Sequence, residues 1–467
     1  MILIRSVKVI DGTGKPAYTA DVLIDKDRIG AIGYFPSKTA EKVIDGMGYY
    51  LTPGFIDIHS DADHSLSIFS NPEQREYLSQ GVTTIIGGNC GSSLAPLLYG
   101  TLESIQKWAD INQINVDWQT TEDFLKILNK KKLGVNFFTL VGHSTIRRSL
   151  VGEVFRDLTD KELGVFEKVL SEALEQGALG LSTGLSYAHS QRTSFKEIES
   201  LAEVVKKYNR VYATHLRNEN EGLLDSINET IKIAEETGAK IIVSHFRPLL
   251  GNEENFKKSL EFLEKTKTET FFDIYPFDVS MMPIYKLLPL WAQNGGLAKM
   301  NAQLLDKDFF QRILKELPPL TRGDLVIASA PGNEFLIGKD ISDISKNQGV
   351  TIPEALLKLM ITTRLKTLVF YKNINIELIS SLLINPKSFI SSNTMRLSEK
   401  AFPKFLQMVN GKISIEEAIK KITGQPADFF GLKERGLVKE GYFADLVMFK
   451  DSATPVVEVV IVNGQLK

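Results

Sequence analysis

Eight short runs of strand-forming residues, each separated from the next by enough chain for a helix, constrain this protein's fold more than any other feature. They are Gly54–Ile58, Val82–Gly88, Val135–Val141, Ala178–Leu181, Val211–Ala213, Lys240–Ser244, Glu269–Ile274 and Lys387–Ser391. Apolar, β-branched runs of this length, bounded by turn residues, read as buried strands. Amphipathic stretches lie between them. Thr159–Gln176 opens with Thr159 three residues before Glu162 and carries Leu163, Phe166, Val169, Leu170 and Leu174 on one face. Glu221–Thr237 and Asn255–Lys267 have the same character. Crossovers this long join parallel strands. The pattern predicts an α/β fold, a closed (β/α)8 TIM-like barrel. An open doubly wound sheet is the competing arrangement, but no Gly-rich phosphate loop supports it.

The two ends have a different texture. Ile2, Ile4, Val7, Val9 and Ile10, then Val22, Leu23, Ile24, Ile29 and Ile32, alternate in short β patterns broken at Asp11-Gly12. Ala444–Phe449 and Val456–Val462 repeat that texture, and Asn463-Gly464 suits a tight turn. Residues 1–52 and 426–467 are therefore expected to form one small β-sandwich, leaving 53–425 to the barrel. About 110 residues separate the last two barrel strands, too many for a plain loop, so an inserted subdomain is expected at about 283–350.

Charge and cysteine content narrow the function. The net charge is −2 with both signs interspersed, which offers nucleic acid no basic face. Cys90 is the single cysteine, so no intrachain disulfide exists and a reducing compartment is expected. Only four apolar residues precede Arg5, too few for a signal-peptide core. No run approaches the ~20 apolar residues of a membrane span. The expectation is a cytoplasmic protein acting on a small molecule, without nucleic-acid or membrane partners, and with its oligomeric state open.

In barrels of this kind the active site forms at the C-terminal ends of the strands. His59, His64, His143, His189, His215 and His245 are all the histidines, and each falls at or just beyond such an end, as does Cys90. A lone cysteine is ordinarily an inert packing residue, and a lone strand-end histidine is ordinarily structural. Gathered on one rim they favour a metal site. Cys90, His215 and His245 come from strands two, five and six and can converge at the mouth. Sulfur and imidazole suit tetrahedral zinc, and three protein ligands leave a fourth position for water. Zinc brings that water's pKa to about 7, so hydrolysis of an amide or related C–N bond follows.

These residues sit in segments that resemble the amidohydrolase superfamily, and specifically its D-aminoacylase (N-acyl-D-amino-acid deacylase) branch. PGFIDIHSD at 53–61, QGVTTIIGGNCGSSLAP at 80–96, VGHSTIRRSLVG at 141–152, GALGLSTGLSY at 177–187, VYATHLRNE at 211–219 and IVSHFRP at 242–248 follow the family's order. KKITGQPADFFGLKERGLVKEGYFADLVMF at 420–449 resembles its return to the terminal domain. The resemblance implies a tight zinc site at Cys90, His215 and His245. It implies a second metal position using His59 and the bridging Cys90, but the expected partner histidine is Asp61 here. No lysine near the end of strand four suggests the carbamylated bridge of hydantoinase-like relatives.

The resemblance also assigns substrate groups. Arg247 and Tyr275 match the pair that holds the substrate carboxylate, while Tyr187, read from its position alone, is expected either to line the acyl pocket or to pack as a rim aromatic. His143 is a supporting group near the substrate, and Arg217 and Glu219 support His215. His64 and His189 are expected to be loop residues. Tyr285, Leu287, Leu288 and Trp291 are expected to form a lid. The family places its proton-accepting aspartate after strand eight, where this chain has Asn393. An amide has no basic pKa near neutrality. Another carboxylate must then act (Asp61, Asp63 or Asp273), or zinc hydroxide works unaided. The leading expectation is hydrolysis of an N-acyl amino acid, of D configuration by resemblance. The alternatives are an altered member that binds zinc and a carboxylated ligand without turnover, or one that cleaves a different C–N bond.

Overall fold

The computed structural model describes residues 1–467 except 100–101, 155, 294, 394–399 and 451–454. Its parallel strands follow chain order. The first, Phe55–Asp57, pairs with the second, Val82–Gly87, which pairs with the third, Asn136–Thr139. The third breaks at Leu140 and resumes at Val141–Gly142. From there pairing runs through Gly180–Gly184, Val211–His215, Lys240–Val243, Thr270–Ile274 and Ser388–Ile390, the fourth to eighth strands. Just past the eighth strand the Asn393 N–H donates to the His59 carbonyl at 3.1 Å, and the Ser392 N–H donates to the Asp57 carboxylate at 3.1 Å. The last strand therefore ends beside the first, the arrangement of a TIM-barrel-type domain.

Local chemistry explains the elements. Every residue of Val82–Gly87 is buried, as expected for a parallel strand covered on both faces. The helix Asp160–Glu175 starts at a reciprocal capping box between Thr159 and Glu162 and buries Phe166, Leu170, Ala173 and Leu174. Helices Phe195–Lys207, Leu223–Thr237 and Glu253–Lys265 likewise bury one apolar face between later strands, without a capping box.

Strands from both termini share one eight-stranded sheet. Its members include Ile2–Val9, Tyr18–Asp25, Tyr49–Pro53, Leu446–Lys450 and Val457–Val462. A bridge between Arg28 and Phe443 brings one edge back towards Leu446–Lys450, so the sheet rolls around a core of Ile4, Val22, Ile29, Leu51, Leu446 and Ile461. Hydrogen bonding thus joins the expected terminal strands into one curled sheet.

The excursion between the seventh and eighth strands is wider than the expected 283–350. Val279–Pro283, Leu325–Ser329 and Leu368–Lys372 form an antiparallel three-stranded sheet, with Leu368–Lys372 in the middle. The excursion therefore starts at its own first strand and closes at its last, a pairing across almost ninety residues of chain that no local pattern announces. It carries its own core, including Leu325, Ile327, Leu356, Leu357 and Val369. Among the described residues no helix is long and apolar enough to cross a membrane.

Candidate metal centre and substrate cavity

The second strand delivers its chain into a tight turn, and the turn delivers a sulfur. Gly88 has φ +74°, and a Cβ there would stand 2.1 Å from the Leu140 carbonyl oxygen. A Cβ on Gly184 would stand 2.3 Å from the Cys90 carbonyl oxygen, so only glycine lets the two loops touch. Cys90 and His245 are themselves held at φ +51° and +37°. Non-glycine residues held there cost on the order of 1–3 kcal/mol each, and such strain concentrates where geometry serves function.

The ligand atoms of Cys90, His215 and His245, all buried, lie within 4.8 Å of one another. Cys90 Sγ is 3.6 Å from His245 Nε2, and His245 Nε2 is 3.0 Å from His215 Nδ1. Donors placed tetrahedrally around zinc stand about 3.3–3.6 Å apart, given the usual Zn–S and Zn–N lengths. This donor set therefore fits zinc in chemistry, with the sulfur–nitrogen spacing in that range and the two ring nitrogens about 0.3 Å closer than it. His59 Nε2 reaches the same sulfur from the other side at 3.5 Å.

Each ring is turned inward by a partner on its outer nitrogen, the arrangement that orients metal-binding imidazoles. Glu219 does this for two of them. Its carboxylate lies 3.2 Å from His215 Nε2 and 3.2 Å from His245 Nδ1. Ser186 Oγ also meets His215 Nε2, at 2.6 Å. Asp273 takes His59 Nδ1 at 3.0 Å and is steadied by the Ser391 hydroxyl at 2.8 Å. Burial works against a Cys90 thiolate, but the charge of His59 and hydrogen bonds from His215, His245 and His59 outweigh it, and the thiol lies well below its usual value. Burial likewise opposes ionised Glu219, yet Arg247 and His215 hold it well below the carboxylate range.

Beside the cluster lies a cavity of about 470 Å³. Its walls include Asp61, Tyr187, Glu219, Arg247 and Asn393, with Lys286, Leu287 and Leu288 contributed by the excursion. Arg247 donates to the Tyr275 hydroxyl at 3.0 Å and to Glu219 at 2.9 Å. Tyr187 stacks edge-on against Trp108.

The three carboxylates considered for proton transfer have different surroundings. Asp63 accepts the Gly88 N–H at 2.6 Å and stays behind the cavity wall, so it holds the cysteine turn. Asp273 is occupied by His59 and Ser391. Asp61 lines the cavity, with Oδ1 bound to His64 and the buried Oδ2 without a hydrogen-bond partner.

The expectations for His143, Arg217, Tyr285 and Trp291 are corrected. His143 does not face the cavity: it stacks on Phe166 and meets Glu197 at 2.8 Å, among the outer helices. It begins the helix His143–Val151 instead of ending a strand, and this turns its ring away. Arg217 binds Glu229 and the Gln191 and Thr193 carbonyls, leaving His215 to Glu219. His64 lies in a turn, as expected, but is buried. It contacts Asp61 at 3.0 Å and the Ser92 carbonyl at 3.1 Å. Burial lowers its pKa, but Asp63 and Asp61 raise it more, to about 9. His189 is also buried and bonded to Arg148 at 2.9 Å. Of the expected lid residues, Leu287 and Leu288 line the cavity, whereas Tyr285 faces a separate pocket and Trp291 binds Glu316. Ser186 and Lys286 had no sequence signal, because their roles depend on where the excursion folds back.

Comparison with known proteins follows this geometry. A profile described as "Amidohydrolase family" matches residues 42–292, and a second with the same description matches 374–467. The chain is 27% identical to a D-aminoacylase of Alcaligenes xylosoxydans xylosoxydans, over 97% of this chain and 88% of that protein. It is 28% identical to an N-acyl-D-aspartate deacylase of the same organism, over 96% and 85%. The structure of N-acyl-D-glutamate deacylase from Bordetella bronchiseptica, complexed with zinc and a phosphonate inhibitor that mimics the tetrahedral intermediate, superposes with a TM-score of 0.81 at 25% identity. That likeness covers 100% of this chain and 96% of the other.

Proposed function

The chain belongs to the amidohydrolase family, in its D-aminoacylase branch, and from that premise we propose that it is a zinc-dependent hydrolase of N-acyl amino acids. The observation that carries this reading is the meeting of Cys90, His215 and His245 beside the Arg247–Tyr275 pair. We read the strands as a closed (β/α)8 barrel whose mouth holds one zinc on those three residues. When bound, zinc supplies Lewis acidity, which acidifies water and polarises an amide carbonyl.

The chain's own residues do the rest. Arg247 offers a planar fork to the substrate carboxylate, with the Tyr275 hydroxyl beside it. Tyr187, Leu287 and Leu288 enclose the acyl group. Glu219 keeps both imidazoles in the tautomers that point inward. Asp61 Oδ2 takes the proton that an aspartate at position 393 would take in the family, and His64 holds Asp61 through Oδ1. Used this way, Asp61 is not available as a ligand, so a second metal on His59, Cys90 and Asp61 competes with catalysis. Asn393 favours a second reading, a protein that binds zinc and a carboxylated ligand with little turnover, or that cleaves another C–N bond.

A panel of N-acetyl and N-formyl D- and L-amino acids tests the first reading. Turnover by the zinc-loaded protein, abolished by His215→Ala, is the expected result. A flat response across the panel favours the binding protein.

A further inference from the structure

Three cations among the described residues line the cavity, Arg217, Arg247 and Lys286, and Arg217 is paired with Glu229 at 2.7 Å. Arg247 is already matched by the Glu219 carboxylate at 2.9 Å. Lys286 is carried into the mouth by the short 3-10 turn Ile284–Leu287 of the excursion, and its Nζ donates to the Ser186 carbonyl at 2.8 Å. Among the described residues no carboxylate comes within ion-pair distance of it. Lys107 stands 3.9 Å over the Tyr187 ring and Lys286 stands 5.6 Å over it. Lys107 Nζ donates to the Ser92 hydroxyl, so it brings no neutralising acid. The rim carboxylate of Glu316 is taken by Trp291 Nε1. Burial and Arg247 lower the Lys286 pKa while Glu219 raises it; at about 8 the group remains a cation at neutral pH. A part-buried ammonium with only a carbonyl for partner is costly unless a ligand supplies the anion.

Resting on the reading above, we propose that Lys286 receives a second carboxylate of the substrate, so that the chain prefers N-acyl acidic amino acids to neutral ones. The α-carboxylate belongs to Arg247 and Tyr275, and the side-chain carboxylate of an aspartate- or glutamate-type substrate belongs to Lys286. Selectivity then resides in the excursion, and the barrel rim supplies the chemistry.

The test uses N-acetylglutamate and its isostere N-acetylglutamine, as D and L forms, with the zinc-loaded full chain. Binding is measured by titration calorimetry and hydrolysis by kcat/KM. The wild type is expected to favour glutamate by about tenfold or more, the usual worth of a charge-assisted hydrogen bond. Lys286→Met brings the glutamate-to-glutamine ratio close to one, and Lys286→Arg restores it. A wild-type ratio of one, loss of both substrates in parallel in Lys286→Met, or no binding of either ligand overturns the assignment. Preferential binding of N-acetylglutamate without hydrolysis keeps Lys286 and removes the proposed activity. Hydrolysis of both isosteres alike removes Lys286 and keeps the activity.

Discussion

The mouth has two flanks, and they are built differently. On the flank of strands five to seven, His215, His245, Glu219, Arg247 and Tyr275 form one connected network. On the flank of strands eight and one, a carboxylate stands at Asp61 where the family resemblance expects an imidazole, and an amide stands at Asn393 where it expects a carboxylate. Asp61 Oδ2 is left without a partner there. On the proposed reading, the contrast teaches that a mouth can keep its carboxylate while moving it to a different strand. On the other flank Glu219 stands 3.2 Å from two rings at once, so an exchange there would disturb both.

Cys90 lies between the flanks, 3.5 Å from His59 and 3.6 Å from His245, so its removal is expected to have the largest effect. Cys90→Ala should take the purified protein from about one zinc per chain to background, read by elemental analysis, because thiolate ligation contributes strongly to metal affinity. Metal retained at full occupancy would break the account of both flanks.

The next effect separates them. Asp61→Asn should keep the zinc and lower kcat by roughly 10²–10⁴-fold, the range for loss of a general base. Asn393→Asp in that background should recover part of the rate by returning the carboxylate to strand eight. Failure of the double variant to exceed Asp61→Asn would place the base elsewhere.

The smallest effect is on stability. The folded pKa of His64 is raised to about 9, above its ordinary value, so its pairing with Asp61 stabilises the fold fully below about pH 6.5. That contribution fades as pH rises through 9. Urea midpoints should fall between pH 7 and 10 in the wild type and fall less in His64→Gln. Equal slopes would mean that the imidazole is neutral in the fold.

Much of this was legible before any coordinates. The second strand and its cysteine turn were readable because β-branched runs and paired glycines have local physical causes. Strand-end positions pointed to His215 and His245 for the same reason. His143 misled because a strand that ends at His143 and a helix that begins there look alike in sequence, yet they aim the ring differently. Arg217 misled because proximity in sequence to His215 says nothing about the Glu229 carboxylate, which the helix Leu223–Thr237 brings to 2.7 Å.

The sequence by itself determined the succession of parallel strands and the sulfur and imidazole donors, since composition and periodicity act over a few residues, and the family resemblance added that Asp61 and Asn393 stand where an imidazole and a carboxylate are expected. Only the tertiary structure decided that Asp61 keeps an oxygen free, that Glu219 ties the metal ligands to Arg247, and that Lys286 enters the mouth from a domain folded across it. The Glu219–Arg247 and Lys286–Ser186 contacts span 28 and 100 residues, and such contacts form only when the chain closes on itself.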